Sequence, residues 1–449
     1  MTGPVLPERP PFSIRARFLS PLADGGVLDL ADGTVEIDAS GRISWVGPTA
    51  GRPSPAPSPN PAPAVTDIRP LVVMPGLIDL HAHLPQLPNA GLGHGLDLLS
   101  WLERYIFPLE RAFDEETAAR LAPVAFRAVA AAGTTTLVAY GAVYEGSMDV
   151  AFRAAEEHGI RAILGKVMMD RHRYDPTVAD AEVLDLSLRQ SADLCARWHG
   201  RDDGRLRYAF TPRFAVSCSG EMLRESARLA RDAGAYWQTH LSEDRAEVAE
   251  VAALFPDAID YLDVYERAGG VFERAVFAHA VHLSEREVLR LAEAGAAVAH
   301  CPASNLFLAS GVMPLARYLG AGVRIGLGSD VAGGPDLSIF TAMRVGAYTQ
   351  NALRVVRGET DPVLDALGWL RLATLDAARA LGLDDAIGSL EVGKEADIIV
   401  VDPTFVAPVP WAEADDAEEQ VSRLMFRSHP SMVRAAWVRG RRLQGPPSS

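Results

Sequence analysis

Apolar and polar positions divide the chain into segments of different periodicity. Residues 13–47 alternate short apolar runs with Asp-Gly and Ser-Gly pairs, which predicts a small sheet with hairpin turns. A proline-rich segment, 51–64, follows, with proline at every second position from 53 to 63, and we expect it to be an exposed loop. From about Gly388 the strand-like pattern returns. The simplest interpretation is that this last part rejoins the N-terminal sheet.

The middle of the chain repeats one unit, a short β-rich apolar run followed by a helical segment. This alternation is typical of βα units on a parallel sheet. Eight such runs are expected, near residues 72–78, 134–140, 162–167, 206–211, 236–240, 275–279, 296–300 and 323–329. They predict an α/β protein with a (β/α)8 TIM-like barrel, in which functional residues lie at the C-terminal ends of the strands. One helix start is well specified, because Ser284 and Glu287 have the spacing of a capping box.

These patterns assign two units to the 449 residues. Residues 71–387 are expected to form the barrel. Residues 1–70 and 388–449 are expected to form the two parts of a small β-sandwich domain built from both chain ends. Barrels often run past about 250 residues as one unit, so the length agrees with this division.

Composition and charge narrow the functional classes. Apolar residues make up 48% of the chain and charged residues 22%, which is ordinary for a soluble globular protein and excludes disordered and collagen-like classes. The 43 Lys and Arg against 58 Asp and Glu give a formal net charge of -15, which argues against a nucleic-acid partner. We interpret the one dense basic run, Arg439, Arg441 and Arg442, as a solvated hairpin.

Cysteine usage and the lengths of apolar runs indicate a cytoplasmic protein without a membrane partner. The three cysteines, Cys195, Cys218 and Cys301, lack CxxC spacing, so neither a disulfide framework nor a cysteine-type zinc site is expected. The N-terminus lacks a signal-peptide pattern, and no apolar run approaches the roughly 18 residues of a membrane span.

Five residues at the ends of predicted strands share one chemistry. His81 and His83 follow the first strand, His240 ends the fifth, His279 ends the sixth and Asp330 follows the eighth. Residues i and i+2 of a strand point to the same side, so His81 and His83 can both face the barrel mouth. Imidazoles and a carboxylate are ligands that zinc takes, and a catalytic site leaves one position for water. A single HxH pair is a weak signal, but five such placements together predict a metal site.

Several motifs carry a family resemblance. PGLIDLHAHLPQ (75–86), THLSED (239–244), FAHAVHLS (277–284), HCPASN (300–305) and GLGSDVAGG (326–334) resemble the deaminase branch of the amidohydrolase superfamily, over about residues 70–400. Further stretches are similar to the guanine deaminase family: Gln86 after HxH, LLSWLERYIFPLE (98–110), GKVMMD (165–170), TPRFAVSCS (211–219) and RLATLDAARALGL (371–383). HxH alone is shared by many hydrolases, whereas PRF with HLSE and SDVAGG is a narrower set.

The resemblance implies roles for the metal site. One Zn²⁺ per chain would be held by His81, His83, His240 and Asp330, with Fe²⁺ left open because both metals accept these ligands. Asp330 would serve as general base, and a protonated Glu243 would donate to a ring nitrogen of the substrate. His279 would hydrogen-bond the attacking hydroxide and stabilise the intermediate.

The substrate residues are identified in the same way. Gln86 and Arg213 offer directional hydrogen bonds to the carbonyl and ring nitrogens of a purine, and the resemblance assigns both to guanine binding. Phe214 either stacks on the ring or belongs to the core. Glu243 and Asp330 complete the predicted substrate contacts.

Absent motifs favour a single metal. Two-metal hydrolases of this type use a carboxylated lysine on the fourth strand, but YAFTPRF (208–214) contains no lysine. Lys166, on the third strand, lies in the GKVMMD stretch that is similar to guanine deaminases, so it is treated as structural. The other deaminase fold, with an HxE and a PCxxC zinc signature, has no counterpart here. His300, at the seventh strand end, either lines the pocket or packs structurally.

The expected function is mononuclear zinc-dependent deamination of guanine to xanthine and ammonia, a step of purine catabolism, by a cytoplasmic homodimer. One alternative is an aminohydrolase or chlorohydrolase acting on another N-heterocycle: a pterin, triazine, cytosine-like or adenosine-type ring. Another is a non-catalytic barrel scaffold. Two positions depart from the family pattern: Asp244, where asparagine is common, and Pro335, which follows Gly333 and Gly334.

Overall fold

The computed structural model describes residues 5–53, 64–175, 177–358, 364–407 and 416–445. Most of the expected proline-rich loop, 51–64, lies outside them. The described strands are β1 (Phe12–Pro21), β2 (Val27–Ile37), β3 (Ile43–Pro48), β4 (Val65–Pro75), β5 (Leu77–His83), β6 (Thr134–Tyr140), β7 (Arg161–Gly165), β8 (Val167–Met168), β9 (Leu206–Pro212), β10 (Tyr236–Leu241), β11 (Ala275–His279), β12 (Ala297–His300), β13 (Arg324–Leu327), β14 (Ile398–Val401), β15 (Val433–Val438) and β16 (Arg441–Arg442).

Helices fill most of the connections between these strands. In chain order they are α1 (Leu98–Trp101), α2 (Phe107–Arg111), α3 (Glu115–Ala131), α4 (Glu145–His158), α5 (Asp180–Trp198), α6 (Arg201–Gly204), α7 (Gly220–Asp232), α8 (Arg245–Leu254), α9 (Tyr261–Arg267), α10 (Glu285–Ala294), α11 (Pro302–Phe307), α12 (Leu315–Gly320), α13 (Ile339–Arg357), α14 (Ala366–Ala373), α15 (Leu375–Ala380) and α16 (Ala417–Phe426). A π-helical turn, Leu102–Ile106, joins α1 to α2. None of the described helices is both long and apolar enough to cross a bilayer.

The central sheet is a parallel barrel. Its strand order is β5, β6, β7, β9, β10, β11, β12 and β13, with the short β8 paired to β9. The segment after β13 returns to β5, where the Asp330 N–H donates to the His81 carbonyl at 2.8 Å and the His83 N–H donates to the Val331 carbonyl at 3.1 Å. These bonds connect the last strand to the first, and the predicted barrel fold is confirmed.

The first barrel strand differs from the prediction. Residues 72–75 belong to β4, which pairs with β1 and β14 in the other sheet, and only β5 enters the barrel. Gly76 separates the two strands, and a Cβ there would lie 2.0 Å from the Thr135 hydroxyl, so no side chain fits. His81 and His83 therefore lie inside the first barrel strand rather than after it. The apolar run is continuous across both strands, so periodicity alone does not locate the change of sheet.

The second sheet has seven strands from both chain ends, in the order β16, β15, β14, β4, β1, β2 and β3. Alternate residues of its strands point to opposite faces. Ile398 and Val400 join a small apolar cluster within this sheet, whereas Ile399 and Val401 join the large cluster that includes the barrel helices. The small unit thus buries one face in its own core and the other against the barrel.

Buried ion pairs connect the two units. Arg161, at the start of β7, donates to Asp397 at 2.9 Å and to Glu395 at 2.5 Å, and Arg439 also donates to Glu395 at 2.8 Å. The basic run at 439–442 does form a hairpin between β15 and β16. The Arg439 side chain is mostly buried in this network, so the expectation of a solvated hairpin is wrong for this residue. The predicted capping box of α10 is confirmed, with Ser284 and Glu287 bonded reciprocally.

Candidate active site

Five predicted side chains converge at the C-terminal end of the barrel, and all but His240 are nearly fully buried. Asp330 Oδ1 lies 3.1 Å from His81 Nε2 and 3.3 Å from His83 Nε2. His240 Nε2 lies 3.3 Å from His83 Nε2, and His279 Nε2 lies 3.8 Å from Asp330 Oδ2. The sequence expectation that these five residues meet is realised in the geometry.

Hydrogen bonds behind two of the imidazoles fix their orientation. His240 Nδ1 lies 2.7 Å from the Arg213 carbonyl, and His279 Nδ1 lies 2.9 Å from Asn305 Oδ1. Each bond holds the Nδ1 side of its ring, so Nε2 faces the centre of the cluster. Such partners are typical of metal-binding histidines, because they set the tautomer and the ring angle.

Buried Asp79 positions the first strand against the end of the last. Its carboxyl accepts from the His81 N–H at 3.1 Å, from the Ser329 N–H at 3.0 Å and from the Ser329 hydroxyl at 2.5 Å. Burial raises the pKa of Asp79 to about 7. This residue therefore supports the segments that present His81 and Asp330.

Backbone strain accompanies two of the candidate catalytic residues. His279 has φ 71° and Asp330 has φ 47°, in the left-handed region that side chains other than glycine rarely adopt. Residues held in this way cluster at functional sites, where the surrounding structure enforces them. Both side chains are thereby directed into the cluster from the strand ends.

The protonation states differ within the cluster. Burial lowers the pKa of His83 to about 4 and lowers the pKa of His240 well below its usual value. Against the opposing effect of burial, the neighbouring imidazoles hold the pKa of Asp330 well below its usual range. Burial, together with the charge of Asp330, raises the pKa of Glu243 well above its usual range. Near neutral pH the site thus combines neutral imidazoles at His83 and His240, an ionised Asp330 and a protonated Glu243.

This donor set fits a metal cation. Nitrogen and oxygen atoms of His81, His83 and His240, and of His81, His279 and Asp330, lie within 4.8 Å of one another in each group. His81 Nε2 and His83 Nε2 are 3.2 Å apart, and His279 Nε2 is buried without a hydrogen-bond partner. Neutral imidazoles and a carboxylate are the protonation states that bind zinc.

A cavity lies beside this cluster. Its lining includes the predicted substrate residues together with apolar side chains from the first βα loop and a leucine after α11: His83, Gln86, Leu98, Trp101, Leu102, Arg213, Phe214, His240, Glu243, His279, Leu308 and Asp330. A cavity with apolar walls and a few convergent polar groups is typical of a small-molecule site. The residues predicted for substrate binding therefore share one cavity with three of the four predicted metal ligands, His83, His240 and Asp330.

The backbone at Glu243 is fixed by a neighbouring helix. Glu247, on α8, accepts from the Glu243 N–H at 2.8 Å and from the Asp244 N–H at 3.1 Å. Asp244 caps the same helix through the Ala246 N–H, a role in which aspartate and asparagine are equivalent. This accounts for one departure from the family pattern. The other, Pro335, is exposed and lies outside the cavity lining.

Neither His300, which the sequence left open, nor Lys166 lines the cavity. His300 is buried, and burial lowers its pKa to about 3. Lys166 is buried between β7 and β8, and its amine donates to the Ser187 hydroxyl at 2.9 Å. Lys166 lines a different cavity from the one that contains candidate metal ligands.

Sequence reasoning missed several residues that support the site. Glu110 and Asn305 lie inside the quoted stretches LLSWLERYIFPLE and HCPASN, and Asp79 lies inside PGLIDLHAHLPQ. For Asp79 a signal existed, because it precedes His81 by two positions and shares its face of the strand. For Glu110 and Asn305 the sequence spacing gave none, since their partners are distant in the chain.

Comparisons with known proteins agree with this geometry. The family model described as Amidohydrolase family matches residues 72–443. The chain belongs to the amidohydrolase family. Members of this family are metal-dependent. A guanine deaminase from Escherichia coli is 39% identical over 362 residues, which cover 80% of this chain and 79% of that protein. The resemblance to guanine deaminases is confirmed.

Solved structures show the same architecture. Guanine deaminase from C. acetobutylicum, with bound guanine in the active site, has a TM-score of 0.87 and 26% identity, covering 96% of this chain and 99% of that one. An adenosine deaminase from Xanthomonas campestris with bound zinc has a TM-score of 0.81 and 30% identity, covering 97% of this chain and 93% of that one. The fold is therefore shared by deaminases of more than one substrate.

Proposed function

We propose that this protein is a mononuclear zinc-dependent enzyme that hydrolyses guanine to xanthine and ammonia. One observation carries the proposal: Gln86 and Arg213 line the same cavity as His83, His240, His279 and Asp330 of the histidine and aspartate cluster. Related proteins named guanine deaminase, one of them with guanine bound, support the choice of substrate.

The proposed metal ligands are His81, His83, His240 and Asp330. When bound, zinc supplies Lewis acidity, which lowers the pKa of a coordinated water to about 7. His279 stands beside this group and is held by Asn305. We assign His279 to a hydrogen bond with the attacking water rather than to the metal.

Asp330 and Glu243 divide the proton transfers between them. Asp330, ionised in this site, accepts a proton from the attacking water. At the same time the water oxygen bonds to the ring carbon that carries the amino group. Glu243, protonated in this site, donates to the adjacent ring nitrogen. Asp330 then returns its proton to the amino nitrogen, the bond between that nitrogen and the ring carbon breaks, and ammonia leaves. The proton of the new hydroxyl group returns to Glu243 as the carbonyl of xanthine forms. The opposite protonation of the two carboxyls is what this sequence of steps requires.

Gln86 and Arg213 are proposed to bind the purine. Both are buried polar side chains on the cavity wall, and their amide and guanidinium groups supply directional hydrogen bonds. Phe214 is on the same wall, with its ring centroid 6.3 Å from that of His240, so we propose that it packs against the bound ring. Guanine is neutral at pH 7, and the net charge of -15 does not oppose its entry.

Cellular context follows from the resemblance alone. On the basis of this resemblance, we propose that the protein is a cytoplasmic homodimer that acts in guanine catabolism. Sedimentation of the purified protein tests the dimer.

The test of function is ammonia release from a panel of guanine, adenine, adenosine, cytosine, pterins and aminotriazines, measured for the wild type and Gln86→Ala. We expect the wild type to prefer guanine and the variant to lose most of that turnover. Gln444→Ala, at an exposed glutamine, is the matched control and should behave like the wild type. A wild type that prefers another ring, or a Gln86→Ala variant with full guanine turnover, would overturn the substrate assignment.

A further inference from the structure

Glu110 lies behind the two proposed substrate residues and touches both of them. Its Oε1 accepts from Gln86 Nε2 at 2.8 Å, and its Oε2 accepts from Arg213 Nη1 at 2.5 Å. Glu110 has no exposed surface and is not part of the cavity lining. It therefore acts on bound ligand only through Gln86 and Arg213.

The same short helix holds Arg213 from a second direction. Phe107 and Glu110 are three residues apart on α2, so they share one face. The Arg213 guanidinium carbon lies 5.3 Å from the Phe107 ring centroid, while its Nη1 is bonded to the Glu110 carboxylate. Contacts on its face and its edge restrict the guanidinium to one orientation.

A π-helical turn sets the direction of this face. Leu102–Ile106 precedes α2 directly and adds a residue relative to regular α-helical winding. Each added residue turns the following side chains by about 100° around the axis. The turn therefore determines that Phe107 and Glu110 meet Arg213.

The carboxylate also sets which end of the Gln86 amide faces it. A carboxylate in an ion pair with arginine accepts hydrogen bonds and donates none, so the Gln86 NH₂ group must point toward Glu110. The Gln86 carbonyl oxygen then lies on the other side, 3.4 Å from the Ala332 N–H. The pattern of donors and acceptors that Gln86 presents to the cavity is thus fixed by Glu110.

We propose that Glu110 is a positioning residue that determines substrate specificity, because it fixes the amide orientation of Gln86 and the guanidinium plane of Arg213. The proposal rests on the proposed function, in which these two residues bind the purine. It adds a residue that reaches the substrate only through them.

The decisive variant is Glu110→Gln, which keeps the side-chain volume. It replaces the two acceptor oxygens of the carboxylate with one acceptor oxygen and one NH₂ donor. In the wild type one carboxylate oxygen accepts a hydrogen bond from Gln86 and the other accepts one from Arg213. The NH₂ group of the variant cannot replace one of these oxygens, so the Gln86 amide is free to rotate by 180°. We expect kcat/KM for guanine to fall about 10- to 100-fold, the effect of losing a hydrogen bond to a charged group. The loss should differ among the rings of the panel, because the donor pattern of the site has changed.

Two further variants separate positioning from general damage. Glu110→Asp keeps the charge with a shorter reach, and we expect it to retain more activity than Glu110→Gln. In a Gln86→Ala background, Glu110→Gln should cost several-fold less than in the wild type, because one of its targets is gone. Glu116→Gln, at an exposed glutamate on α3, is the matched control and should behave like the wild type.

Crystal structures of the wild type and Glu110→Gln test the inference independently of activity. We expect Gln86 or Arg213 to change orientation in the variant while the histidine cluster stays in place. Unchanged orientations of Gln86 and Arg213, or an unchanged kcat/KM for guanine, would overturn the role of Glu110. It would also be overturned if Glu110→Gln lowered kcat/KM equally for every ring and by the same factor in the wild type as in the Gln86→Ala background. If the wild type prefers another ring, the proposed function fails, while the same comparison on that ring still decides the role of Glu110. If Glu110→Gln does not fold, Glu110→Asp is measured on the same panel, because its shorter reach weakens the bonds to Gln86 and Arg213. A kcat/KM for guanine equal to that of the wild type would then overturn the role of Glu110.

Discussion

At the residue scale, the site depends on two carboxyls with opposite protonation. Asp330 faces imidazoles, whereas Glu243 is buried near the charge of Asp330. Glu243 Oε2 is 3.3 Å from His279 Nε2, and its Oε1 accepts from the Ser310 hydroxyl at 3.2 Å. Environments that separate two titratable groups in this way assign the acid and the base.

Replacing Glu243 with glutamine removes the proton and preserves the shape. We expect Glu243→Gln to lower kcat on guanine about 10²- to 10⁴-fold, the usual contribution of general acid–base catalysis. The metal content should stay unchanged, because Glu243 is not among the proposed ligands. Steady-state ammonia release with metal analysis checks this, with the exposed Glu221→Gln as control. A kcat close to that of the wild type would remove Glu243 from the mechanism.

Individual residues were predictable where one local pattern specified them. HxH on a strand, two histidines at strand ends and an aspartate after the last strand predicted the five residues that the structure brings together. Glu110 was not predictable, because its function depends on contacts with Gln86, 24 residues away, and Arg213, 103 residues away. Nor does spacing reveal that Asn305 holds His279.

At the element scale, the third barrel strand is interrupted at a buried amine. Lys166 lies between β7 and β8, and burial lowers its pKa to about 7 from 10.5. Between these two values the unfolded chain binds more protons than the folded one at this residue. The contribution of Lys166 to stability therefore increases as the pH rises from about 7 to 10.5.

A Lys166→Met variant removes this dependence at a similar side-chain length. We expect its melting temperature to exceed that of the wild type most at about pH 7, and the difference to shrink toward pH 10. Thermal unfolding of both proteins at several pH values measures it. A difference that does not change with pH, or a variant that is less stable at pH 7, would contradict the burial of a neutral amine.

Strand positions were predictable where a turn or a helix bounds the apolar run, as at β6. The start of the barrel was not, because the run through β4 and β5 is apolar on both sides of Gly76. What divides it is the close approach of Thr135, a contact formed only in the folded chain. The π-helical turn before α2 was also not predictable, since the apolar pattern continues through it.

At the scale of the whole molecule, a barrel and a sheet made from both chain ends share one buried boundary. Arg161 of the barrel bonds to Asp397 and Glu395 across it. The site lies where the barrel closes, because the bond from Asp330 to His81 joins the last and first strands directly at the metal cluster. Folding of the barrel and assembly of the proposed metal site are therefore coupled.

The central claim is that one zinc ion in this cluster supports guanine deamination. The most direct measurement is ammonia release from guanine during titration of metal-depleted protein with zinc. We predict that the rate is negligible without metal, rises in proportion to added zinc and reaches a plateau at one equivalent per chain. Folded, zinc-loaded protein that releases no ammonia from guanine would contradict the account.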